Sequence, residues 1–168
     1  LSPLAGLTNL RTLHLDGNQI TDLSPLAGLK QLTFLSLDKN PKLTRAEIDK
    51  LKQALPHRRI THDLMTAPEK LEDQIRASLQ QTSGEITAQD MAKLRSLKVI
   101  GSSITDISPL KAAINMEELT IHDNAISDLS ALAGMKNLRY FSAYNNRISD
   151  LSPLAGLTNL RTLHLDGN

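Results

Sequence analysis

The sequence predicts an α/β solenoid: short parallel strands stacked into one concave sheet, joined by tight convex turns and closed by helical caps. Three observations carry this. Similar segments recur every 22 residues: LTNLRTLHLDGNQI (7–20) aligns with LKQLTFLSLDKNPK (29–42), and MEELTIHDNAI (116–126), LRYFSAYNNRI (138–148) and LRTLHLDGN (160–168) keep the same step. Apolar residues make up 40% of the chain but aromatic ones only 2%, which suits a thin, repetitive core of leucine and isoleucine. Helical capping signals occur in two places only, 42–56 and 66–97.

Each repeat position has a physical role. Leu13 and Leu15 alternate with Thr12, His14 and Asp16, the period of a half-buried strand. Asn18, Asn124, Asn146 and Asn168 fall where the chain leaves the strand. Asn40 keeps that place, and Ser102 takes it in a degenerate copy, LRSLKVIGSSI (94–104). A buried carboxamide there can bond turn backbone that lacks other partners. Ile20, Ile104, Ile126 and Ile148 return to the core, and Pro25, Pro109 and Pro153 suit a tight convex turn rather than a long helix. One such repeat cannot bury its own leucines; only stacking does.

The pattern L-x-x-L-x-L-x-x-N-x-I, then x-D-L-x-P-L-x-x-L, resembles the leucine-rich repeat, and specifically the 22-residue bacterial internalin-type subclass. The resemblance covers roughly three quarters of the chain and implies a concave parallel sheet, helical N- and C-caps, and binding of proteins rather than catalysis.

The flanking segments fit caps. In KLTRAEIDKLKQALP (42–56), Thr44 and Glu47 form a capping-box pattern, Leu43 and Ile48 a hydrophobic staple, and Pro56 a stop. HRRITHD (57–63) reads as a last strand, completing what looks like a C-terminal cap. In TAPEKLEDQIRASLQQ (66–81), Thr66 and Glu69 repeat the capping box, with Leu71, Ile75 and Leu79 as the apolar stripe. GEITAQDMAKLRSL (84–97) adds a short helix capped by Thr87, with Ile86 facing Met91. This resembles the N-terminal helical cap of internalin-type domains.

The order departs from the family: the C-cap precedes the N-cap. Reading Met65 to Asn168 and then Gln19 to Leu64 restores a capped solenoid of 150 residues. The chain also begins and ends on the same 18 residues, LSPLAGLTNLRTLHLDGN (1–18 and 151–168). The expectation is a rearranged, engineered domain cut inside a repeat that was kept on both sides. A window from a tandem array of period 150 describes it equally well, and recent natural duplication is the plainer alternative. The expected domains are 1–64, the C-terminal half of the solenoid with its cap, and 65–168, the N-cap with the N-terminal half. Each half exposes one leucine layer. A connector of about eight residues spans at most roughly 26 Å, too short to run past five or six layers. Pairing between chains is therefore expected: Leu160, Leu163 and Leu165 of one copy against Leu10, Leu13 and Leu15 of another, as successive layers, the alternative being that one copy displaces the other and is left unfolded. The product is a reciprocal dimer, a ring or a filament.

The second candidate surface is the concave face. Its three expected columns are Ser96, Glu118, Tyr140, Thr162 and Phe34; Lys98, Thr120, Ser142, His164 and Ser36; and Ile100, His122, Tyr144, Asp166 and Asp38. Phe34, Tyr140 and Tyr144, with His122 and His164, are the candidate contacts for a protein or peptide ligand.

Other classes find little support. Lys and Arg total 19 against 18 Asp and Glu, so no net charge steers the chain to nucleic acid or acidic lipid, and HRRI (57–60) is a small solvated patch. There is no cysteine and no membrane-length apolar run. The histidines have neither H-x-x-x-H spacing nor a carboxylate cluster, so no metal or other cofactor is expected. No nucleophile stands beside a positioned base.

Overall fold

The leucine–polar alternation produces strands of three residues each. The computed structural model describes residues 1–168 and places them in two compact units. The first comprises Leu1–Met65 and Gln81–Glu85; the second comprises Thr66–Gln80 and Ile86–Asn168.

In the first unit, β1 (Thr12–His14), β2 (Phe34–Ser36) and β3 (Arg59–Thr61) form a parallel sheet in that order. Leu13, Leu35 and Ile60 stand in register, and so carry the core from layer to layer. Helix α1 (Arg45–Ala54) starts at Thr44, whose hydroxyl accepts the Glu47 N–H at 3.3 Å. The expected reciprocal half of this capping box is not made. The Glu47 carboxylate instead accepts from Lys50 Nζ at 2.8 Å and from the Leu23 N–H, and these bonds lower its pKa. The staple does form, for Leu43 and Ile48 are both buried in the same cluster. Gln81–Glu85 return to this unit: the Arg59 N–H bonds Thr82 O at 3.0 Å, the Gly84 N–H bonds His57 O at 2.9 Å, and Arg58 bridges Ser83 antiparallel.

In the second unit, α2 (Ala67–Leu79) and the four-residue α3 (Ala88–Met91) precede a parallel sheet of β4 (Ser96–Lys98), β5 (Glu118–Thr120), β6 (Tyr140–Ser142) and β7 (Thr162–His164). Thr87 and Asp90 make a complete capping box. Its bonds, with the Lys93 ammonium contributing most, hold the Asp90 carboxyl at about 2. Leu97, Leu119, Phe141 and Leu163 share one register line. Between strands the chain makes one 3₁₀ turn on the convex side, as at Ser108–Ala112 and Ser152–Leu154. The aspartate two residues before each turn accepts the N–H of the serine that opens it: Asp22–Ser24, Asp106–Ser108, Asp128–Ser130 and Asp150–Ser152, at 2.7–2.8 Å. These Asx contacts explain the D-L-S-P spelling of the repeat. No helix is long and apolar enough to cross a membrane.

The asparagines tie adjacent layers together. Asn146 Oδ1 accepts the Ile126 N–H of the preceding layer at 3.0 Å, while its Nδ2 donates to Ile121 O there and to Ala143 O of its own layer, both at 3.0 Å. Asn40, Asn124 and Asn168 repeat the arrangement. Ser102 cannot; its hydroxyl reaches only Ile100 O. Asn18 bonds only Leu15 O and Asp16 O of its own turn.

That contrast gives a test with one residue type. Asn146→Ala strands buried backbone groups on two layers and is expected to cost about 2–4 kcal/mol, at roughly 1–3 kcal/mol for each group left unpaired. Asn18→Ala, at an exposed turn, should stay within about 0.5 kcal/mol of the parent. Hydrogen exchange read separately at Tyr140–Ser142 and at Thr12–His14 distinguishes them. Equal loss of protection at both strands would contradict the layer-tying role.

Candidate functional site

Two kinds of surface emerge, the concave sheet faces and the leucine layers at one end of each unit. On the second unit's concave face the best-organised group is built from β5 and β6 and the residues after them. His122 Nδ1 lies 2.7 Å from Asp123 Oδ2, and His122 Nε2 lies 3.2 Å from the Tyr144 hydroxyl. The His122 and Tyr144 rings stack with centroids 4.0 Å apart. Asn145 Nδ2 donates to Asp123 Oδ1 at 2.7 Å. Asp123 and Asn145 can occupy this turn because both accept left-handed backbone, with φ of 57° and 52°. Tyr140 of the first column and His164 of the middle column approach at 5.8 Å, tilted. Tyr140, Tyr144 and His122 are half-buried, and His164 is exposed.

The sheet thus joins four of the five proposed contacts into two neighbouring pairs. The fifth, Phe34, belongs to the first unit, where His14 packs against it at 5.3 Å and the Arg59 guanidinium lies 5.2 Å over its ring. His14 and Arg59 were absent from the expected ligand face. The spacing did carry their signal, since both occupy outward strand positions, Arg59 paired with Phe34 and His14 paired with Ser36 two residues on.

One expectation about this face requires correction. The middle column is not open surface: Thr120, Ser142 and Ser36 are buried. The small hydroxyls sit between columns of larger side chains, so Tyr140 and Tyr144 flank Ser142 and limit its access. His164 stays open because its layer has no successor in this sheet.

The second unit also has a groove of about 500 Å³, lined by Gln74, Ser78, Lys93, Leu94, Arg95, Ser96 and Lys98. It was not foreseen, because the lining combines α2 with residues some twenty positions away. Two of its cations are already engaged: Lys93 with Asp90 at 2.8 Å, and Arg95 with Asn115 O at 3.2 Å.

The end layers differ sharply from the interior. Leu35 and Leu119 are fully buried, whereas their counterpart Leu163 on β7 is 43% exposed. Leu10, Leu13, Leu15, Leu160 and Leu165 are half-buried. β1 pairs only with β2, and β7 only with β6.

A family model described as Leucine Rich repeats (2 copies) matches residues 8–53 and 136–168. The crystal structure of an internalin (inlF) from Listeria monocytogenes superposes on the whole chain with a TM-score of 0.57 and 28% identity. The chain carries leucine-rich repeats similar to those of an internalin. It spans 51% of the length of that internalin. An internalin C2 (inlC2) structure from the same species aligns over 98% of this chain and 65% of its own, at 29% identity and a TM-score of 0.46. No curated protein sequence matches the chain. Internalin-type repeats on a parallel sheet with polar and aromatic residues on its concave side fit a protein-interaction module.

The His122–Asp123–Asn145 group yields a pH test. The Asn145 hydrogen bond, and after it that of His122, holds the Asp123 carboxyl below its ordinary 3.8. A depressed carboxyl contributes stability that is present above the ordinary value and lost as pH falls through the lower, folded one. Asn145→Ala should move the Asp123 midpoint up toward 3.8, as followed by carboxyl-carbon NMR. An unmoved midpoint would remove Asn145 as the main cause.

Proposed function

We propose that the chain is a self-associating repeat scaffold, in which residues 151–168 of one copy stack on residues 1–18 of the next as adjacent layers. The uncovered leucine layer carries this reading. Leu163 stands open at a position where every interior layer is sealed, and the 1–18 layer presents a like set of leucines. The register follows from the interior offset of 22 residues: Thr162 opposite Thr12, Leu163 opposite Leu13, and His164 opposite His14. The hydrogen-bonding senses also match. On β6 the outgoing donors are Ala143 and Asn145 and the acceptor is Arg139 O. The same positions on β7 are Leu165, Gly167 and Arg161 O, and β1 offers the complementary groups. Taking an exposed leucine fully out of water contributes up to about 1.5–3 kcal/mol. In this reading the two units are the halves of one solenoid in rearranged order, and the identical terminal stretches are the joint.

The test is light scattering across a dilution series. The parent chain should grow in mass with concentration. A chain bearing Leu13→Lys and Leu163→Lys should stay near 18.4 kDa, because each lysine puts an unpaired charge into an apolar layer. A parent that remains at that mass at every concentration would sink the proposal.

The His122–Tyr144 stack and the Tyr140–His164 pair favour a second reading, a protein ligand held on the concave face. Aromatic side chains already fixed by neighbours lose little freedom on binding. Tyr140→Ser with Tyr144→Ser should leave thermal stability and self-association nearly unchanged while weakening an identified ligand tenfold or more. Unaltered affinity, measured by calorimetry, would count against these tyrosines as anchors.

A further inference from the structure

The joint proposed above brings together side chains that neither end layer assembles alone. β1 and the residues after it present His14 and Asp16 on one face, two residues apart, as strand geometry requires. His14 Nδ1 lies 3.9 Å from Asp16 Oδ2, and both side chains are exposed. The β7 layer presents His164 and Asp166 at the same two positions, also exposed. Within one chain no three histidine or acidic side chains converge on a point.

The interior shows how such a carboxylate behaves when another layer follows. Asp16 Oδ1 turns onto the next layer, where it accepts from the Ser36 hydroxyl and, at 2.9 Å, from the Asp38 N–H. Ser36 stands opposite His14 in the register. At the joint the layer following Asp166 would be residues 1–18, and the position corresponding to Ser36 would be His14. Asp166 would therefore lean onto the His14 ring, as Asp16 leans onto Ser36. Asp16 Oδ2, which takes no part in the bonds to Ser36 and Asp38, lies 3.9 Å from His14 Nδ1. His164 would lie directly before His14, at the layer spacing of about 4.8 Å. Phe34 backs His14 at 5.3 Å and restrains the ring.

We propose that the joint creates a binding site for a zinc-class divalent cation, with His164 and Asp166 from one copy and His14 and Asp16 from the next. The inference rests on the head-to-tail reading. Two imidazoles and two carboxylates form a nitrogen–oxygen donor set of the kind that holds zinc at about 2.0–2.2 Å. Magnesium and calcium prefer sites built of oxygen alone, with more ligands. Without a cation, the same register puts the Asp166 and Asp16 carboxylates side by side, which weakens the joint. A cation at that point removes the repulsion, so metal binding and association favour one another reciprocally.

The experiment uses the untagged 168-residue chain in sedimentation velocity, with three arms: EDTA, added zinc chloride and added magnesium chloride. Association in EDTA reads the joint; the zinc increment reads the site. Zinc is expected to lower the dissociation constant of the assembly about tenfold or more, and magnesium to leave it unchanged. In a chain with His14→Ala and His164→Ala, association with zinc should equal association in EDTA, whatever that variant's own level in EDTA. Association in EDTA with no zinc increment overturns the metal site and leaves the joint standing. A zinc increment that survives in the double variant, or an equal increment from magnesium, also overturns the site. A chain monomeric in every arm overturns both the site and the reading beneath it.

Discussion

The asparagine that follows five of the seven strands is the constraint on which the repeat depends. Its carboxamide joins two layers, accepting an N–H 20 residues back and donating to a carbonyl 25 residues back. It also bonds a carbonyl three residues back in its own layer. Those three reaches are compatible only with a layer of fixed length, and the 22-residue period follows. The leucines can therefore repeat without variation, because the turn and not the core sets the register. The turn also accepts side chains that are unfavourable there: Lys39, Asp123 and Asn145 all adopt positive φ at the place where Gly17 and Gly167 do. A strain of about 1 kcal/mol or more for such a residue is tolerated when neighbouring bonds over-determine the backbone.

The ladder has a direction. Each asparagine with a layer before it looks back to that layer, so the two uncovered layers are not equivalent. Asn168 is fully engaged, with Ile148, Ala143 and Leu165 as partners, and the β7 end is deficient only in apolar cover and strand pairing. The β1 end lacks more. Asn18 bonds nothing outside its own turn, and its Oδ1 accepts no N–H. A preceding layer with a carbonyl at the Leu165 position would restore the donor half of that ladder step. Stacked head to tail as proposed, the layers would meet the polar need of the β1 end together with the apolar need of both.

Much of this could be read from residue order, and the failures share a cause. Strand positions, asparagine turns, both helical caps and the outward aromatics follow from periods of two and 22 and from local capping chemistry. What escaped depends on side-chain size across layers. Ser142 and Thr120 alternate as exposed residues should, yet larger neighbours in adjacent columns bury them. Glu47 has the spacing of a capping box but finds Lys50 and the Leu23 N–H within reach. Arg76 lies next to the Leu71–Ile75 stripe and is itself buried, its charge met by Glu72 at 2.8 Å. Gln81–Glu85 lie where the two helical cap segments meet in the sequence, but their backbone is hydrogen-bonded to His57 and Arg59. No single-strand period encodes contacts of this kind.

Identity between the two end layers is both the attraction and the weakness of the proposed joint. Parallel stacking in register sets every residue against its own kind. For leucine and threonine this is favourable. For charged residues it is not, since like charges directly opposite destabilise a sheet. The interior avoids the problem by divergence. Arg139 lies one layer before Arg161, but Glu117 approaches Arg139 at 3.8 Å from the other side. A joint of identical layers has no such freedom: it sets Arg161 against Arg11 and Asp166 against Asp16. Such a contact should be looser than an interior one of equal apolar area, and responsive to ions that interior layers ignore. A solenoid held together by divergent neighbours would then be interrupted, once per chain, by a layer contact whose strength the solvent adjusts.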